Sequence, residues 1–115
     1  MRSPSILLNI RDWRERARLA DYRAALLAKL CQVSNRTLRR FFRKNMRMSV
    51  TAWLNRQRIW RAQIDLLTVG AQVKRAAADC GYKRAEHFSR RFKSICGHSP
   101  TEWVALRRPQ NIARS

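Results

Sequence analysis

One pattern occurs twice in this chain, and it restricts the folds open to it. Ala28, Cys31, Leu38, Arg40, Phe42, Ser49 and Trp53 recur as Ala77, Cys80, Phe88, Arg90, Phe92, Ser99 and Trp103. The offset is 49 before a central turn and 50 after it, so the second copy holds one extra turn residue. That copy, Ala77 to Trp103, reads as a small helix, a tight turn at Gly81, a basic second helix and a stop at Gly97–Pro100. A repeat of this length is one supersecondary unit used twice. So many ordered matches, with aromatic and basic positions kept, are unlikely to arise by chance.

The rest of the chain fits around the two copies. Residues 1–8 read as a flexible arm. Asn9 or Asp12 is placed to cap a first helix reaching Leu19, with Ile10, Trp13, Ala17 and Ala20 as its apolar stripe. Asp21 is a suitable N-cap for a second helix, Tyr22–Leu30. Ser34 caps a third, over 35–45, that buries Leu38, Phe41 and Phe42 and turns Arg36, Arg39, Arg40, Arg43 and Lys44 outward. Ser49 caps a long fourth helix, 50–69, which Gly70 ends. Apolar residues on several sides of it, Trp60 and Leu67 among them, suit a helix gripped by two neighbours. A helix over 72–80, the turn Gly81–Lys83 and a basic helix over 84–95 complete the second copy. Ser99-Pro100 opens a short last helix, with Pro at its first position. Trp103 and Leu106 are expected to pack back from it, and Pro109 closes the ordered part. No stretch alternates like a strand. The expected fold is all-α: about seven helices in two helix-turn-helix subdomains, 9–49 and 70–108, joined by the long helix, with a flexible tail at 109–115.

Charge points to the partner. The 115 residues carry 26 Lys+Arg against 7 Asp+Glu, a net charge of +19. A field of that size favours nucleic acid first and an anionic membrane surface second. The apolar runs are too short to cross a bilayer and no secretory signal precedes the first helix, so a cytoplasmic, nucleoid-associated protein is expected. Three cysteines without CxxC spacing read as buried core thiols in a reducing compartment. Cys96 and His98 flank Gly97, a weak basis for a metal site, and neither metal nor cofactor is expected. The chain shows no nucleophile–base pair and no phosphate-cradling glycine loop, so an enzyme is not expected.

A helix-turn-helix lays its second helix in the major groove and braces it with the first. In both copies that second helix is basic opposite its Phe stripe. The residues also resemble a known family. Leu27-Ala28 through Ser34, Leu38-Arg39-Arg40-Phe41-Phe42, Ser49 and Trp53 are similar to the first half of an AraC-type (AraC/XylS) DNA-binding domain. Arg58, Ala62 and Leu66-Leu67 match its linker helix. Ala77, Gly81-Tyr82, Phe88-Ser89-Arg90, Phe92-Lys93, Gly97-His98-Ser99-Pro100 and Trp103 match its second half most closely.

The resemblance implies a transcription regulator whose two recognition helices enter successive major grooves, joined by a helix of roughly 30 Å. It implies base reading by Arg36, Arg39 and Arg40 in the first recognition helix and by Glu86, His87 and Arg90 in the second. Ser34, Thr37, Arg43, Arg84 and Arg91 are the corresponding phosphate candidates. Double-stranded DNA is the expected partner, with RNA polymerase a second one for a regulator, and the chain is expected to act as a monomer. Four departures stand out. Gln32 replaces a turn glycine, Arg47 stands opposite Gly97, Glu86 replaces a small polar residue, and no effector-binding domain accompanies the unit. The last makes the chain resemble short stand-alone members, or a domain cut from a longer protein. The competing function is a non-specific architectural DNA-binding protein that uses charge without reading bases.

Overall fold

The computed structural model describes residues 4–68 and 72–107, and every regular element among them is helical. The chain divides into two compact units, residues 1–57 and 58–115.

The first unit opens with a 3-10 helix, Pro4–Asn9. An arm was expected there, but Leu7 is fully buried in the unit's core and Ile6 packs against it. So small a core gains enough from one more leucine to hold the preceding turn in place. Helix α1 is Trp13–Leu19. Asp12 precedes it, but its carboxylate accepts from Arg16 Nε at 2.9 Å and makes no side-chain cap. The chain then reverses through Asp21 and Tyr22, both left-handed at φ 52° and 57°. Asp21 therefore does not cap the next helix. Arg23 takes the N-cap position and α2 runs Ala24–Leu30. Asp is among the residues that tolerate the left-handed region, and the reversal buries Tyr22.

Helix α3, Asn35–Phe41, starts where expected, with Ser34 Oγ accepting from the Thr37 N–H at 3.1 Å. Its α-helical part is shorter than expected: a wider π-helical turn, Phe42–Met46, carries the chain on to Arg47. The ring of Trp13 lies 5.8 Å from Phe41, 5.2 Å from Phe42 and 6.1 Å from Trp53. This cluster anchors α3 through its buried aromatic side.

Helix α4, Val50–Thr68, begins at the Ser49 cap, whose Oγ accepts from the Ala52 N–H at 3.0 Å. Val50 and Leu54 belong to the first unit's core, and Ile59, Ala62 and Leu66 to the second's. Trp60 and Leu67 are partly solvent-exposed rather than gripped. Asp65 is buried and meets Arg61 at 3.4 Å.

The second unit continues with α5, Val73–Asp79, α6, Ala85–Cys96, and α7, Pro100–Arg107. Gly97 ends α6 at φ 84°. Ser99 and Glu102 then form a reciprocal capping box. The Ser99 N–H donates to Glu102 Oε1 at 3.2 Å and the Glu102 N–H to Ser99 Oγ at 3.3 Å. Trp103 is buried as expected, but Leu106 is 64% exposed. Val104 packs on the core instead, and the Arg107 guanidinium lies 4.4 Å over the Trp103 ring. The helix-ending Gly70 and the closing Pro109 lie outside the described residues.

The turn between α2 and α3 and the turn between α5 and α6 share one hydrogen-bond pattern. Val33 N–H reaches Ala28 O at 3.1 Å, and Tyr82 N–H reaches Ala77 O at 2.9 Å. Such a six-to-one bond with a left-handed residue before it closes a helix end in the Schellman manner. The left-handed residue is Gln32 at φ 60° in the first turn and Gly81 at φ 92° in the second.

Candidate nucleic-acid interface

Each unit presents its second helix in the same way. In α3 and the turn after it, Leu38, Phe41 and Phe42 are buried, so the opposite side must face solvent. Arg36, Arg39, Arg40, Arg43 and Lys44 are all exposed there. The ion pairs among the described residues are Asp12–Arg16, Glu15–Arg18, Arg61–Asp65 and Arg75–Asp79. None involves a residue of α3 or α6; α3 holds no acid, and Glu86 is the one carboxylate within α6.

Within the α3 face the arginines differ in setting. Arg39 and Arg43 line a cleft of about 200 Å³ with Asn35, Ser49, Val50 and Thr51, next to the amino end of α4. Arg36 and Arg40 are not among its lining. Ser34 and Thr37 are half-buried. The Ser34 hydroxyl serves the α3 cap and donates to Thr37 Oγ1 at 3.0 Å. Asn35 was absent from the expected site, and its place in the cleft follows from a turn of packing that no residue type announces.

In α6, Phe88 and Phe92 are fully buried, and Glu86, His87 and Arg90 are exposed on the other side. Glu86 and Arg90 stand one turn apart, a spacing that allows an ion pair, yet they form none. Arg84 is exposed at the α6 N-cap position, and Arg91 is half-buried at the edge of the same face. His87, Arg90, Arg91 and Ser94 border a shallow depression. Behind it, the buried Tyr82 ring meets His87 nearly at right angles, 5.8 Å between centroids. Burial pushes the Tyr82 hydroxyl up, against the opposing charges of Arg91 and Arg58.

The cysteines stand apart from these faces in character. Burial pushes the Cys80 thiol up to about 12 and raises Cys31 and Cys96 as well. In each case burial is the leading cause, and it disfavours the thiolate, the nucleophilic form. Among the described residues no helix is long and apolar enough to cross a membrane.

A family profile described as a helix-turn-helix domain matches residues 27–106, which contain both turns and both exposed basic helices. The chain belongs to the AraC-type helix-turn-helix family. It is 34% identical over 84 residues to the HTH-type transcriptional activator RhaR of Enterobacter sp. (strain 638), covering 70% of this chain. It is 30% identical over 86 residues to the arabinose operon regulatory protein of Escherichia coli (strain K12), covering 75% of this chain. The chain spans about 30% of the length of each of these relatives. Among solved structures it is similar to the DNA-binding domain of AdpA, a global transcriptional factor, in complex with a target DNA. That similarity has a TM-score of 0.70 at 28% identity, over 85% of this chain and 96% of that one.

As an AraC-type domain, the chain departs from the pattern in ways the backbone now explains. Gln32 and Arg47 do adopt the left-handed conformation, at φ 60° and 57°. The turns are thus built as glycine would build them, at a cost of roughly 1 kcal/mol for each non-glycine residue. Glu86 lies in the first turn of α6, where the helix amino end favours a carboxylate.

Proposed function

We propose that this AraC-type domain is a sequence-specific transcription regulator of double-stranded DNA, with α3 and α6 each reading a major groove, one groove after the next. The observation that carries the reading is the duplication itself. Two helix-turn-helix units each bury the aromatic side of the second helix and expose arginine on the other. An Arg on such a helix can bond bidentately to guanine, and a Glu can accept from cytosine N4. Base reading is assigned to Arg36, Arg39 and Arg40 in α3 and to Glu86, His87 and Arg90 in α6. Arg43, which shares with Arg39 the cleft at the amino end of α4, is assigned to phosphate. Ser34, Thr37, Arg84 and Arg91 flank the reading positions and complete the backbone set. One chain supplies two reading helices, so a single copy suffices to cover a site. RNA polymerase is the natural second partner of such a regulator, and the cytoplasm its place of action.

A second reading has its own support. Arg11, Arg18, Arg23 and Lys29 are exposed outside α3 and α6, as expected of an architectural protein that needs charge alone. Selection of bound sites from random duplexes, followed by competition at moderate salt, separates the two. A specific reader yields one enriched sequence and prefers it over random DNA by at least about 10³-fold. Enrichment of no sequence would reject the proposed function and leave the architectural one.

A further inference from the structure

His87 is solvent-exposed at a reading position, yet it is not isolated. Its imidazole meets the Tyr82 ring at 84°, with 5.8 Å between centroids, in the edge-to-face arrangement that aromatic pairs favour. Tyr82 is itself fixed. It is only 8% exposed, its ring lies 5.5 Å from that of the fully buried Phe88, and the Arg58 guanidinium sits 5.5 Å from its centroid. A rigid ring, anchored in the second unit's core, therefore reaches out to one side chain on the exposed face. The first unit has no counterpart. The repeat places Val33 opposite Tyr82 and Thr37 opposite His87.

From this geometry we infer that Tyr82 is a positioning residue for base recognition: it holds the His87 imidazole in one orientation at the start of α6 and so sets the base preference there. The inference rests on the proposed reading of α6 as a recognition helix. A neutral imidazole has one N–H donor and one acceptor nitrogen, and the two lie on different parts of the ring. A freely turning ring offers either to the groove and loses that freedom on binding. A ring held by Tyr82 presents a fixed edge, and a donor there is matched by the N7 acceptor of a purine. Immobilising a rotamer-rich side chain at an interface is unfavourable, and an ordering already present in the free protein removes that penalty.

The test compares binding of Tyr82→Phe, Tyr82→Leu, His87→Ala and the Tyr82→Leu/His87→Ala double variant to the selected site and to its single-base-pair changes. Tyr82→Phe keeps the ring and should keep every preference. Tyr82→Leu should lower the preference about threefold to tenfold at one base pair, the scale of one side-chain ordering step. That base pair should be the one at which His87→Ala loses preference, and the double variant should lose no more there than His87→Ala alone. Uniform weakening on all sequences by Tyr82→Leu, with that preference intact, would overturn the inference and leave Tyr82 a core residue. If His87→Ala, Glu86→Ala and Arg90→Ala all leave every preference unchanged, the reading of α6 itself fails. A second measurement needs no disruptive variant. In the free wild-type protein the His87 imidazole CH resonances should be displaced by the tyrosine ring current, and Tyr82→Phe should keep the displacement. Resonances at random-coil positions would overturn the inference.

Discussion

Arg40 and Arg90 occupy equivalent places in the repeat, and both are exposed. They therefore test whether the two units read DNA alike. If each grips a guanine, Arg40→Ala and Arg90→Ala should each weaken binding by about 1–3 kcal/mol and relax preference at one base pair. A phosphate contact would instead weaken all sequences alike and lower the salt slope by about one. An ion pair at their one-turn spacing would let Glu86 hold Arg90 back from the base. That pair is not formed, so Arg90 should behave as cleanly as Arg40 in quantitative binding assays. Glu86→Ala should then lose discrimination at a single cytosine-containing base pair. Tighter binding to every duplex would show that its carboxylate only repels the backbone.

Helix ends are where sequence and structure diverge most usefully. Ser34 and Ser49 were legible as caps because a hydroxyl just ahead of an apolar helical stripe has few other uses. Asp21 was misread because two local roles suit the same residue type, N-cap and left-handed reversal, and only burial of Tyr22 decides between them. Leu7 was missed because a single buried side chain leaves no periodic trace. Leu106 shares the spacing of a core residue, but Trp103 and Val104 already cover the core there. The exposed basic faces of α3 and α6 were legible from the Phe stripes opposite them. The partner of His87 was not, since Tyr82 lies in a turn where periodicity says nothing about where a ring points. The turns also yield stability predictions. Gln32→Gly and Arg47→Gly should each raise the unfolding free energy by up to about 1 kcal/mol, less the freedom glycine adds to the unfolded chain. Gly97→Ala should lower it by about 1 kcal/mol through φ strain alone, because an added Cβ there meets nothing within 4 Å. Urea titrations measure all three; a fall in the midpoint for both glycine variants would contradict the left-handed assignment.

The capping box adds a pH effect. Hydrogen bonds from the Ser99 backbone and side chain hold the Glu102 carboxyl below its ordinary value of 4.5. The folded value is the lower one, so this stabilisation is complete above the unfolded value and is lost as pH falls through the folded one. Glu102→Gln should therefore reduce the acid dependence of thermal stability below about pH 4.5 and leave neutral pH less affected. Equal acid sensitivity in both proteins would place the titrating group elsewhere.

For the molecule as a whole, the proposed function assigns affinity to charge and choice of sequence to α3 and α6. With a net charge of +19 and about 6–10 phosphate contacts, binding should fall by roughly 10³–10⁵ between 50 and 200 mM salt. A flat salt profile in fluorescence titrations would remove the phosphate-dominated interface. Sedimentation without DNA should give a concentration-independent monomer mass, and a tight dimer would imply a palindromic site.

The two units have separate hydrophobic cores, one built around Trp13 and Phe42, the other around Phe88 and Phe92. Inheritance acts on such a protein as on two adjoining targets. A damaging change in one core loosens the helices of that unit and spares the apolar contacts that hold the other. Random mutagenesis should thus produce, besides null alleles, a class of partial ones in which half of the operator is still protected. Suppressors of those alleles should map within the injured unit, because its missing contacts are its own.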